Sequence, residues 1–200
     1  MTRDALVVGI SGTLFGLIVG WILGSQMAAP PAAAPSAVTA SSQQADPPPP
    51  PPLDAERAAE LEKQARAQPA NAGVRVELAN VYYDARRFDL AIPWYEAALA
   101  IEPKNVNAST DLAICYYYTN DVDRALAQID RSLAVDPRHV KSLFNQGVMR
   151  FGKEDRQGAA ESWEKVVSIA PDSDEARMAR QGLDGLRSGH TTGRGSGGRP

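Results

Sequence analysis

The chain has 200 residues, 44% of them hydrophobic, with 21 Lys and Arg against 24 Asp and Glu and a formal net charge of −3. That length suits one domain of ordinary size with room left for an anchor and a linker. The near balance of charge argues against a nucleic-acid partner, which needs a basic patch to neutralise phosphates. A lone cysteine, Cys115, excludes an intramolecular disulfide and any CxxC or haem-attachment motif, and is expected to serve in the core.

The first predicted element is a membrane-spanning helix over residues 5–27. Residues 5–24 carry no charge, and at about 1.5 Å per residue they make a helix of roughly 30 Å, the thickness of a hydrocarbon core. A cleaved secretory signal is the rival reading, but its apolar region is usually about 7–15 residues. Arg3 precedes the span and no Lys or Arg follows it before Arg57. The positive-inside bias then places residues 1–4 in the cytoplasm and the bulk of the chain in an extracytoplasmic or periplasmic space. Gly12, Gly16, Gly20 and Gly24 recur at every fourth position, forming one groove along the helix. Lipid offers no hydrophobic drive between helices, so close backbone approach at such small residues favours pairing, here as a homodimer through the span.

Residues 28–52 hold nine of the fifteen prolines. Proline lacks an amide donor and fixes φ, so this stretch reads as a disordered linker, with the prolines at 47–52 in extended polyproline II.

Beyond it lies a period. Pro69, Pro103, Pro137 and Pro171 recur at one constant interval, and other side chains repeat with them. Leu78-Ala79-x-x-Tyr82, Ala91-x-x-x-Tyr95, Ala98 and Pro103 are followed by Leu112-Ala113-x-x-Tyr116, Ala125-x-x-x-Ile129, Ser132 and Pro137. A third set comprises Gly147, Ala159-x-x-x-Trp163, Val166 and Pro171. The physical reading is two antiparallel helices per unit. Small residues stand where helices approach closely, large ones fill the space beside them, and each proline ends the second helix. Pro93 is expected in the first turn of its helix, where its cost is smallest.

This pattern resembles the tetratricopeptide repeat (TPR) family, whose signature W-x2-L-G-x2-Y…A-x3-F…P has the same period. The resemblance implies an all-α solenoid of three repeats over 72–105, 106–139 and 140–173, within a TPR domain spanning 53–187. Arg75, Ser109 and Leu143 replace the opening aromatic, and Gln146 and Arg150 stand where the third unit should have Leu and Tyr. A cap helix over 54–68 resembles the second helix of a truncated repeat. Another over 174–187 presents Ala176, Ala179, Leu183 and Leu186 on one face and Arg177, Arg180 and Arg187 to water. The Gly-rich residues 188–200 are expected to form a disordered tail.

No phosphate loop or nucleophile motif occurs, and the two histidines, His139 and His190, lie far apart in sequence. No enzymatic activity, metal or cofactor is expected. Binding is. In the TPR family the first helix of each unit lines the concave side, which implies a protein- or peptide-binding groove of Val76, Asn80, Tyr83 and Asp84, then Asn107, Asp111, Ile114 and Tyr117, then Lys141, Phe144, Asn145, Val148 and Phe151. Tyr83, Tyr117 and Phe151 share one register position as an aromatic row. Asn80 and Asn145 would meet a peptide backbone, and Lys141 a carboxylate. TPR domains that grip acidic chaperone tails use a Lys/Asn/Asn/Lys/Arg set. Asn80 and Lys141 match it, but Val76, Asp111 and Asn145 do not, so that clamp is incomplete. The chain also resembles, more loosely, the TPR subunits of bacterial c-type cytochrome maturation, which hold apoprotein partners. The sequence thus points to a membrane-anchored TPR adaptor, with a secreted TPR module and a structural oligomeriser driven by the glycine-rich helix as alternatives.

Overall fold

Helix starts recur at the interval of the prolines. The computed structural model describes residues 49–192, with side chains to 188. A unit boundary falls between Pro51 and Pro52, and the eight described helices belong to the unit that follows. They are α1 (Ala55–Ala67), α2 (Ala72–Asp84), α3 (Phe88–Ile101), α4 (Val106–Tyr118), α5 (Val122–Val135), α6 (Val140–Gly152), α7 (Arg156–Ile169) and α8 (Asp174–Thr192). The predicted span over 5–27, the four glycines on it, and the linker up to residue 48 lie outside the described residues. Among the described residues, no helix is long and apolar enough to cross a membrane.

The caps explain the starts. Asn71, Asn105, His139 and Ser173 stand one repeat apart, and each side chain accepts the backbone N–H three residues on, at 3.3, 3.0, 3.3 and 3.1 Å. Such a cap satisfies one of the orphan donors of a helix start and contributes about 1 kcal/mol. Asp121 and Asp155 do the same for α5 and α7. Each hairpin turns on a residue with positive φ, namely Arg86 (56°), Asn120 (65°) and Glu154 (64°). The next N–H then closes onto the carbonyl five residues back: Arg87 to Tyr82, Asp121 to Tyr116 and Asp155 to Arg150, at 2.8, 2.8 and 2.9 Å.

α2 packs on α3, α4 on α5 and α6 on α7, and each hairpin packs on the next; α4 also touches α6, and α6 touches α8. Ala79, Ala113, Ala91, Ala125 and Ala159 are fully buried, with Tyr95, Ile129 and Trp163 filling the space beside them. The Tyr82 hydroxyl donates to Glu62 on α1 at 2.9 Å, and one repeat further on Tyr116 donates to Glu96 on α3. α1 therefore stands to the first repeat as α3 stands to the second.

Two expectations need correction. Pro93 is the sixth residue of α3, past its first turn. The carbonyl left without its partner is that of Asp89, an exposed residue of the first turn that water can reach. α8 also continues to Thr192 rather than stopping at 187. Ser188 Oγ bonds back to the Asp184 carbonyl at 2.8 Å, so this serine is accommodated inside the helix instead of ending it.

Candidate functional site, the face of the first helices

α2, α4 and α6 each follow a capped start with residues of the predicted groove. On α2, Val76, Asn80 and Tyr83 are half-buried and Asp84 is exposed. Asn80 Oδ1 accepts from the hydroxyl of fully buried Tyr95 at 2.5 Å, so this side chain already serves the interior of its hairpin. On α4, Asn107 is exposed and Tyr117 half-buried. On α6, Lys141 Nζ lies 2.5 Å from Asp111 Oδ1 of α4, so its charge is engaged within the chain before any partner arrives. Phe151 is half-buried, its ring tilted 6.0 Å from that of Trp163.

Four predicted groove residues are not at the surface. Ile114, Phe144, Asn145 and Val148 are 1, 1, 2 and 4% exposed. α6 is packed against α4, α5, α7 and α8, and every residue from 142 to 149 is buried. Asn145 turns its amide inward, donating to the Lys141 carbonyl at 2.7 Å instead of offering it to a peptide.

Tyr83 and Tyr117 are bridged by rings that the register comparison passes over, while Phe151 meets Trp163 instead. Tyr83 meets Phe88 edge-on at 5.5 Å, Phe88 stacks on Tyr118 at 4.4 Å and 9°, and Tyr118 meets Tyr117 edge-on at 6.0 Å. Edge-on and offset-stacked pairs favour the ring quadrupoles. Phe88 and Tyr118 escaped notice because neither falls at a repeated position; Tyr118 shares its register with Asp84 and Gly152. The only signal was the Tyr116-Tyr117-Tyr118 run itself. Burial, then Asp111, pushes the Tyr83 phenol well above its usual range. Partial desolvation, then Asp111, also raises the Asp84 carboxyl, against the opposing pull of Lys141.

Behind this face the third unit is polar where the first two carry Leu and Tyr. Gln146 donates to Asp130 at 2.9 Å and accepts from Ser162 Oγ at 2.9 Å, while Arg150 donates to the Gly158 carbonyl and to Ser162 Oγ, both at 3.2 Å. These bonds answer the departures seen in the sequence, since each buried polar atom finds a partner. Arg75, in the place of an opening aromatic, donates to the carbonyls of Gln68, Asn71 and Ala65 and so closes the end of α1. Trp163 is held between two glycines. A Cβ at Gly147 would meet its Nε1 at 2.3 Å, and one at Gly182 its Cζ3 at 2.7 Å, while the indole N–H donates to the Phe144 carbonyl at 3.2 Å. Cys115 is buried and its thiol is pushed upward by that burial, which leaves it an inert core group. Among the described residues, no group of three His, Cys, Asp or Glu is placed to hold a metal ion.

Two tetratricopeptide repeat models match the chain, over residues 54–106 and 83–144. The repeated hairpins and these matches support a TPR protein, and the TPR fold suggests a protein- or peptide-binding scaffold. Among solved structures it is similar to YrrB, a TPR protein with an unusual peptide-binding site, at 27% identity and a TM-score of 0.57 over 62% of this chain and 64% of YrrB. It therefore spans about two thirds of that relative. The Sgt2 TPR domain from Aspergillus fumigatus aligns at 24% identity and a TM-score of 0.57 over 64% of this chain and 85% of that one. MamA aligns at 15% and 0.56 over 68% and 88%. At these two identities the likeness is one of fold. No curated protein matches the chain.

Proposed function

We propose that this chain is a membrane-anchored TPR adaptor that holds a protein or peptide segment against the face of α2, α4 and α6. The observation that supports the reading is the half burial of Tyr83, Tyr117 and Phe151, one ring at the same register position of each first helix, together with half-buried Val76 on α2 and exposed Asn107 on α4. Half-buried aromatics give a partner large contact area at little conformational cost. The carboxylates of Asp84 and Asp111 outnumber the Lys141 ammonium they face, so the reading favours a partner segment with a Lys or Arg beside an apolar residue.

The anchor, the outward orientation, the pairing of two chains through Gly12, Gly16, Gly20 and Gly24, and a role in assembling an envelope complex belong to the same proposal and rest on the sequence. Two linked faces would gain avidity through effective concentration. Affinity capture from membranes with the full-length chain tests the adaptor role. Replacing Tyr83, Tyr117 and Phe151 by Ala is expected to remove captured partners while the helical circular-dichroism signal persists. An unchanged set of partners would leave the structural oligomeriser in its place. Intact-mass measurement of the mature amino terminus separates a retained anchor from a cleaved signal.

A further inference from the structure

We propose that the junction between the second and third repeats is a pH-sensitive latch, in which neutral His139 ties the start of α6 to α4 and its protonation on acidification loosens that start. The position is set by the repeat. Asn71 and Asn105 cap α2 and α4 through amide oxygens, which accept at any pH, and the same register position before α6 carries His139.

Both ring nitrogens are committed. Nδ1 accepts the Ser142 N–H at 3.3 Å, so it carries no proton, and Nε2 lies 3.1 Å from Asn107 Oδ1 on α4, an acceptor, so it carries one. Nδ1 also lies 2.7 Å from Ser142 Oγ, which is 2.7 Å from both Thr110 Oγ1 and Ser132 Oγ. Thr110 Oγ1 in turn donates to the Val106 carbonyl at 2.7 Å. Three buried hydroxyls from α4, α5 and α6 thus form one connected cluster between a backbone acceptor and the imidazole.

A protonated ring cannot accept. It leaves the Ser142 N–H without its cap, sets a positive charge at the positive end of the α6 dipole, and turns the Ser142 hydroxyl proton away from the ring toward Thr110 or Ser132. The charged groups that face the ring are Asp136 in the turn before α6, Lys141 on α6, Asp111 on α4 and Glu175 on α8. The three carboxylates favour the imidazolium; burial, the largest influence, and Lys141 oppose it, and the ring sits below its ordinary range. The sign follows. The unfolded chain takes up this proton near the ordinary value of about 6.5, before the folded one does. The stabilisation is complete above that value and is lost as pH falls through the lower, folded one.

Proton NMR of the full-length chain, titrated from about pH 7.5 to about pH 4.5 across the histidine range, reads the latch, with His139→Asn assigning the resonance. The His139 midpoint is expected below about 6.5. Below that midpoint the hydrogen-exchange protection of the Ser142 amide should fall about twofold to thirtyfold, the span of a lost cap, while His139→Asn keeps its protection at both ends. A midpoint at or above the ordinary value, or an equal acid loss of protection in His139→Asn, overturns the latch.

Discussion

The first and third hairpins occupy the same register but are built differently. In the first, Leu78 and Tyr82 fill the inner face of α2 as the family pattern asks, and the Tyr82 phenol reaches Glu62 on the preceding helix. In the third, the matching positions are Gln146 and Arg150, joined through Ser162 on α7, and a tryptophan is wedged between two glycines. The backbone path is kept by the side-chain caps that open α2 and α6 and by the positive-φ turns, which are common to both. What fills the space between the helices can then change from apolar to polar, provided that every buried donor and acceptor is met.

The largest expected effect lies at the glycines that distinguish the two hairpins. Gly147→Ala puts a methyl 2.5 Å from Trp163 Cδ1 and should cost about 3 kcal/mol through overpacking. Urea unfolding would show it as a lower midpoint at unchanged slope. In the first hairpin the register of Gly147 already holds Ala79, and the glycine there, Gly73, has only Asn71 Oδ1 at 3.3 Å in its way, so Gly73→Ala should stay within about 0.5 kcal/mol of the wild type. Equal effects at the two sites would erase the contrast.

Smaller effects sharpen the comparison. Tyr82→Phe removes the bond to Glu62 and should cost about 1 kcal/mol. Gln146→Leu, which restores the family residue, should stay within about 1 kcal/mol of the wild type, because Ser162 keeps its bonds to Gly158 and Arg150. A loss well above that would mean that the polar cluster is the more stable filling. Glu154→Gly relieves a φ of 64° and should raise stability by about 0.5 kcal/mol, read as a higher urea midpoint.

The regular features were legible because they are local or periodic. Pro69, Pro103, Pro137 and Pro171 mark the units, and the small residues at 79, 113 and 147 mark the close approaches. The groove was legible only in part, because exposure depends on which helices surround a position. α6 is enclosed by four others, so Phe144, Asn145 and Val148 were lost to the interior, as was Ile114 on α4. Lys141 read as a free cation because Asp111 lies a whole helical hairpin earlier in the sequence. Gly182 gave no signal at all, since α8 does not follow the family's spacing of small residues; its need for glycine comes from Trp163 on α7.

Site-specific photocrosslinking in intact cells tests the central claim most directly, with a photoreactive residue placed at Tyr117 on α4 or at exposed Arg131 on α5. The account predicts a discrete crosslinked partner from position 117 and none from position 131. A partner trapped from position 131 alone, or equally from both, would contradict it.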